Sequence, residues 1–205
     1  MSQSPYSWID ILWWYNKTLE LIKNHPLDEK VIVETVLSCR DDIFTSSLWP
    51  DWFKIGTDIF PAPQIMWFLL HELIPLKLKK IYHGMRTKDE EVSDKDLVYI
   101  PDHSFSVEIK TSSSKDKIFW NRSYAQESQD PKKDKSWYYI CVNFEKFHTD
   151  KDGHPIKWEK PKITLIRFWY LDHSDWIWQK AATWQQSRLT QEADKNKLIV
   201  LYRGN

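Results

Sequence analysis

The apolar pattern of this chain changes period once, and that change limits the folds open to it. Up to about residue 82, apolar residues recur at helical spacing: Trp8, Leu12, Tyr15, Leu19 and Ile22 form one series, and Val33, Val36 and Leu37 another. Beyond about residue 97 they fall in short runs rich in β-branched and aromatic residues, at 97–100, 105–111, 137–144, 162–171 and 198–202. Helices first and strands afterwards predict a single α/β domain over 1–205. Its 1–82 portion is mainly helical, and 97–205 carries the sheet.

Punctuation refines this. His25-Pro26 stops the first helix, Trp8 to Asn24, because proline disfavours helix in the residue before it. Asp28 is placed to cap a second helix, Glu29 to Asp41. Thr45 to Pro61 reads as a loop. Pro63 can begin a third helix that runs to Tyr82, with a kink at Pro75. His83 to Asp96 is polar and charged and reads as a surface loop, and Trp176 to Leu189 reads as a helix.

Composition excludes several classes. Lys+Arg and Asp+Glu are both 29, so a passive coat protein for nucleic acid is disfavoured, whereas an enzyme with a local basic cleft and acidic ligands is not. The two cysteines, Cys39 and Cys141, lie in separate apolar segments, which argues for buried thiols rather than a zinc knuckle. Ile65 to Leu78 is the most apolar stretch, but His71, Glu72, Pro75 and Lys77 interrupt it, so no membrane span is expected. No secretion signal is evident, and a cytoplasmic protein is the expectation. With 13 Trp and only 4 Gly, most turns are expected to use Asn, Asp, Ser and Pro.

The stretch most informative about chemistry is 99–114, YIPDHSFSVEIKTSSS. As a strand, it sends Val107 and Ile109 into a core and Glu108 and Lys110 together to the other face. Asp102 lies at the turn entering the strand, from which its carboxylate can curl back towards Glu108. Asp102, Glu108 and the main-chain carbonyl of Ile109 would then offer oxygen ligands to Mg²⁺, which polarises a phosphate and acidifies water. Lys110 would orient the water and offset charge in the transition state of phosphodiester hydrolysis. The same letters also suit a solvated cross-strand charge pair and an ordinary Pro-Asp turn.

Pro101-Asp102, five residues, then Glu108-Ile109-Lys110 resembles the PD-(D/E)xK motif of the restriction-endonuclease-like nucleases, and Thr111-Ser112-Ser113 is similar to what type II restriction endonucleases often carry after the catalytic lysine. The match spans about Tyr99 to Gln126. The resemblance implies a mixed β-sheet flanked by helices, with a helical N-terminal portion. It implies a homodimer that hydrolyses double-stranded DNA at a short specific site, leaving 5′-phosphate and 3′-hydroxyl ends, with a cognate DNA methyltransferase in the same system. Mg²⁺ is the implied cofactor, with Mn²⁺ able to substitute and Ca²⁺ supporting binding without cleavage. A helix-borne glutamate reaching the metal is also implied; Glu34 is the candidate, with Glu20 and Glu72 behind it.

The segment after the strand supplies candidate DNA contacts. Lys115 and Lys117 suit phosphates, while Asn121, Arg122 and Gln126 suit base edges, with Ser112, Ser113 and Ser123 beside them. His173 could line a groove. Ser174 suits an N-cap, and His71 and His83 read as structural or exposed. Two other readings stand beside the main one: a structure-specific repair or recombination nuclease of the same superfamily, and a non-catalytic DNA- or protein-binding domain. Discrete plasmid bands separate the first from restriction, and Mg²⁺-requiring cleavage separates the second.

Overall fold

The computed structural model describes residues 3–48, 51–89, 95–126, 135–178 and 186–204, without the side chains of Leu48 and Arg122. Asp10 caps a single 3-10 turn, accepting from the Leu12 N–H at 2.9 Å, and α1 follows over Trp14–Lys23. Asp28 caps α2 (Glu29–Thr45), accepting from the Val31 N–H at 3.0 Å. Next come the two-residue strands β1 (Ser47–Leu48) and β2 (Phe53–Lys54), paired within the expected loop. Pro63 is the first residue of α3 (Pro63–Ile81), and Pro75 lies buried inside it.

The remaining elements are β3 (Arg86–Lys88), β4 (Leu97–Tyr99), β5 (Val107–Ser112), β6 (Trp120–Asn121), β7 (Trp137–Phe144), β8 (Ile163–Leu171), β9 (Trp176–Trp178), β10 (Gln186–Leu189), α4 (Gln191–Asn196) and β11 (Val200–Arg203). Six form one mixed sheet in the order β11-β8-β7-β5-β4-β3. Only β5 and β7 run parallel; the other neighbours are antiparallel. A smaller antiparallel sheet, β6-β10-β9, lies over part of one face.

Both faces of the large sheet are covered where β7 crosses it. Ile140 and Val142 join Val107, Ile109, Ile166 and Phe168 against the helices, where Ile32, Val36, Cys39, Met66, Leu70, Ile74 and Leu78 complete one core. Tyr139 and Cys141 turn to the opposite face and pack with Trp120, Tyr124, Trp169 and Trp176. Every β7 residue from Tyr138 to Phe144 is therefore buried, the mark of a strand covered on both sides. β5 is buried at Val107, Ile109 and Thr111 and half-buried at Glu108, Lys110 and Ser112, which is the expected alternation. Both cysteines are free and buried, and burial pushes each thiol up to about 12.

Several sequence expectations are corrected. The segment read as a helix, 176–189, instead begins and ends in strands, since Trp176-Ile-Trp178 pairs across β10; 179–185 lie outside the described residues. The charged loop 83–96 contains β3, which pairs along β4 as an edge strand. Most of the apolar series of the first helix faces outward: Trp8, Leu12, Tyr15 and Leu19 are exposed, and its last member, Ile22, is buried beside Thr18. Not all turn positions go to small polar residues, because Trp8, Trp52 and Trp158 adopt left-handed backbone with φ 65°, 60° and 68°.

Candidate active site

The antiparallel register of the β4–β5 hairpin decides which groups meet. Leu97 lies opposite Val107. Both side chains enter the helix-side core, so their neighbours Asp96 and Glu108 share the other face. The rest of the strand lies on the Asp96 side of that pair, and the hairpin turn lies on the opposite side.

Asp96 closes the edge of β5 where β4 has ended. Its Oδ2 accepts the Ile109 N–H at 2.6 Å and lies 3.9 Å from Lys110 Nζ, while its Oδ1 is 3.2 Å from His71 Nε2 on α3. An extended residue sends its N–H and C=O to the same edge, so the Ile109 carbonyl also leaves β5 on this side. Glu108 Oε1 accepts from Lys110 Nζ at 2.5 Å and from the Tyr124 hydroxyl at 2.6 Å. Glu108 Oε2 lies 3.9 Å from Lys95 Nζ, which sits 4.6 Å from the centre of the Trp137 ring.

Electrostatics favours the charged forms of Lys110 and Asp96. Burial works against the Lys110 charge, but Glu108 and Asp96 outweigh it and hold its pKa above the ordinary lysine value. Burial also opposes the Asp96 charge; the His71 hydrogen bond and Lys110 overcome it and hold the carboxyl below its usual range. His71 is raised in turn, because its bond to Asp96 outweighs its burial. Lys95 behaves differently, since burial pulls its pKa down despite Glu108. Burial, then Tyr139 and Glu108, push the Tyr124 hydroxyl far up, so it stays a neutral donor to Glu108.

The structure brings Glu108 and Lys110 together as read from the sequence, but it does not bring Asp102 to them. Asp102 is exposed at the far end of the hairpin, where it caps the turn His103–Phe105 by accepting the Ser104 N–H at 2.9 Å, and its charged neighbour is His103. Asp96 stands where Asp102 was expected. Glu34 is likewise remote: it is exposed on α2 and pairs with Lys30 at 3.7 Å. Glu20 is exposed and pairs with Lys17 at 2.9 Å. Glu72 comes nearest of the helix glutamates, next to His71 and bonded to Lys88.

Of the expected DNA contacts, Lys115, Lys117, Asn121 and Ser123 are exposed, while Ser112 and Ser113 are half-buried. The Arg122 side chain lies outside the description. The Gln126 carbonyl is 2.9 Å from Nε2 of half-buried His173, so these two join the segment after β6 to the turn before β9. Ser174 is not an N-cap; that place belongs to Asp172, whose N–H donates to Asp175 Oδ2 at 2.8 Å. Sequence reasoning passed over Asp96 and Lys95, took His71 as structural or exposed, and gave Tyr124 no role at the carboxylates.

Hydrolysis of a phosphodiester at this point would need a hard cation as well. Among the described residues, no group of three or more His, Cys, Asp and Glu side chains could cage a metal ion. Mg²⁺ does not require one, since it is commonly held by one or two carboxylates and keeps several waters. Asp96 and Glu108 already converge on one positive group, the Lys110 ammonium, and the Ile109 carbonyl adds a third oxygen; this donor set fits Mg²⁺.

The helix-backed mixed sheet, with its Glu-x-Lys strand closed at the edge by an aspartate, has the architecture of a restriction-endonuclease-like nuclease. Comparison narrows the class: the family described as ScaI restriction endonuclease matches residues 4–202. The chain is also 44% identical to the type II restriction enzyme ScaI of Streptomyces caespitosus over 204 residues, which is 99% of this chain and 86% of that protein. No solved structure matches. The chain belongs to the ScaI restriction endonuclease family, and so to the type II restriction endonucleases. No helix among the described residues is long and apolar enough to cross a membrane.

Proposed function

We propose that this chain is the cytoplasmic nuclease of a restriction–modification system, cutting double-stranded DNA at a short specific site and leaving 5′-phosphate and 3′-hydroxyl ends. It would act as a homodimer, protected against by a cognate DNA methyltransferase. The observation that carries the reading is the convergence of Asp96, Glu108 and Lys110 at the open edge of β5.

Asp96, Glu108 and the Ile109 carbonyl would hold Mg²⁺, which when bound supplies Lewis-acid polarisation of the scissile phosphate and acidifies water. The chain's own groups do the rest. Lys110, kept charged, donates to the developing phosphorane oxygens. Tyr124 fixes Glu108 by its hydroxyl, and His71 fixes Asp96 from α3. Lys115 and Lys117 approach neighbouring phosphates, and Asn121, Arg122, Ser123 and Gln126 read bases, with Ser112, Ser113 and His173 at the margins.

The test is incubation with mixed-sequence DNA and Mg²⁺, followed by sequencing of the fragment ends. One recurring short site with 5′-phosphate ends is expected. Mn²⁺ should substitute, and Ca²⁺ should support binding with little cleavage. Full activity in excess chelator would sink the metal assignment, and cleavage confined to junctions or flaps would replace restriction by structure-specific repair.

A further inference from the structure

On the sheet face that carries Glu108 and Lys110, a cavity of about 200 Å³ lies two strands away. Register fixes its position. Lys110 is opposite Cys141 on β7, and Cys141 is opposite Arg167 on β8. Two strand spacings separate the Lys110 and Arg167 backbones by about 10 Å. Arg167 (5% exposed) and Trp169 (0%) form the floor, while Asp116, Lys117, Arg188 and Asp194 stand exposed around the rim.

The floor presents donors without acceptors. Arg167 Nη2 donates to Asn143 Oδ1 at 2.8 Å, a neutral partner, and the guanidinium lies 5.0 Å from the centre of the Trp169 ring. Asn143 Nδ2 is committed to the carbonyls of Ser114 (2.8 Å) and Lys117 (3.0 Å), so its amide can turn only oxygen to Arg167. Arg167 Nε and Trp169 Nε1 are buried with no partner. Among the described residues, no carboxylate lies in ion-pair range of Arg167. Asp194 and Asp116 act on Arg167 only from beyond that range, and a buried cation without a contacting anion, like buried N–H groups without acceptors, is costly unless a ligand completes it.

We propose that this cavity is a second phosphate subsite, holding a backbone phosphate of the same DNA whose scissile phosphate lies at Glu108 and Lys110. This inference rests on the nuclease reading above. A phosphate is anionic and accepts only, as the floor demands. Arg167, Arg188 and Lys117 against Asp116 and Asp194 leave one net positive charge, so the site favours a phosphate delivered on a duplex over a free ion. Phosphates of one strand advance about 3.4 Å along the axis per step and also wind around it, so an interval of about 10 Å is covered within about one or two phosphates of the scissile one. The contact positions the DNA and reads no base.

The test is Mg²⁺-dependent cleavage of the cognate duplex by wild type, Arg167→Gln, Arg188→Gln and Trp169→Phe at several salt concentrations. Arg167→Gln should raise KM about tenfold or more with kcat kept within about threefold, and reduce the salt slope of log KM by about 1. Arg188→Gln should lower the slope similarly. Trp169→Phe keeps one aromatic ring but loses the N–H with the rest of the indole, and since Arg167 remains its KM should rise less. In a scan of single methylphosphonate substitutions, one neutralised phosphate should raise the wild-type KM and have no further effect on the variants. If wild type cleaves but no phosphate position couples to Arg167, Arg188 or Trp169, the subsite is wrong. If Arg167→Gln does not fold, the other two variants carry the same scan. Wild type that cleaves no DNA would overturn the nuclease reading instead.

Discussion

The two ends of the β4–β5 hairpin carry an aspartate each, with a histidine reaching in from the helical portion at each. At the open end, Asp96 is largely buried, His71 lies 3.2 Å away, and Lys110 and the Ile109 N–H complete its surroundings. At the turn end, Asp102 is exposed and merely caps a 3-10 turn. The histidines differ as sharply. His71 gains proton affinity from Asp96. His25 packs among Phe105, Tyr138 and Phe168 and lies 3.1 Å by Nε2 from the Phe105 carbonyl. Its Nδ1 accepts the Leu27 N–H at 3.1 Å, which leaves the proton on Nε2. Burial and the Arg86 charge pull it down to about 3. One end thus keeps charges that stabilise one another; the other packs neutral groups and excludes charge.

The largest effects should come from the open end. Asp96→Asn removes one of the two carboxylates, and Lys110→Ala removes the ammonium between them. Each is expected to slow single-turnover cleavage by about a hundredfold or more. The measurement is a quenched time course at saturating enzyme, with circular dichroism confirming the fold. Wild-type rates for Asp96→Asn would break the comparison, because the open end would no longer be the reacting end.

How much of this was legible follows from the same hairpin. Alternation along 107–112 placed Glu108 and Lys110 on one face correctly, because it depends on one strand alone. Choosing their aspartate required the pairing of two strands. The clue was present: Leu97 and Val107 are both apolar, and pairing them puts Asp96 beside Glu108 and sends Asp102 to the turn. His71 was not legible, since nothing local on α3 announces a partner 25 residues further on. Tyr124 was hidden for the same reason, reaching Glu108 only through the packing of the aromatic face. The first helix shows the limit of periodicity: its apolar series was read, but packing against β8 buried only Ile22 of it, together with Thr18, and left Trp8, Leu12, Tyr15 and Leu19 outside.

A second prediction sharpens the contrast between the histidines through stability. The folded pKa of His25, about 3, is depressed below the ordinary histidine value of 6.5. Its contribution is therefore fully present above pH 6.5 and lost as pH falls from 6.5 towards 3. Between pH 7 and 4.5 the loss should be on the order of 2–3 kcal/mol, since one pKa unit corresponds to about 1.4 kcal/mol. Urea denaturation at the two pH values measures it. His25→Phe, which cannot titrate, should start less stable at pH 7 but lose less on acidification. An equal loss in both proteins would show that the acid limb belongs to other groups.

The smallest effect should come from Asp102, and its smallness is the most direct check on the comparison. Asparagine ranks with aspartate as an N-cap, so Asp102→Asn can still accept the Ser104 N–H and hold the turn. The site lies on the surface, and substitutions there seldom disturb the rest of the molecule. Single-turnover cleavage by Asp102→Asn is therefore expected within about twofold of wild type. Asp102→Ala, which loses the cap as well, should lower the melting temperature slightly with the rate preserved. A rate loss in Asp102→Asn approaching that of Asp96→Asn would mean that the carboxylate, rather than the cap, is what matters at position 102. The hairpin would then have to rearrange on DNA so that its turn end approached Glu108. The two variants separate those cases, because a turn that matters only for folding is spared by asparagine and harmed by alanine, whereas a metal-binding carboxylate is lost in both.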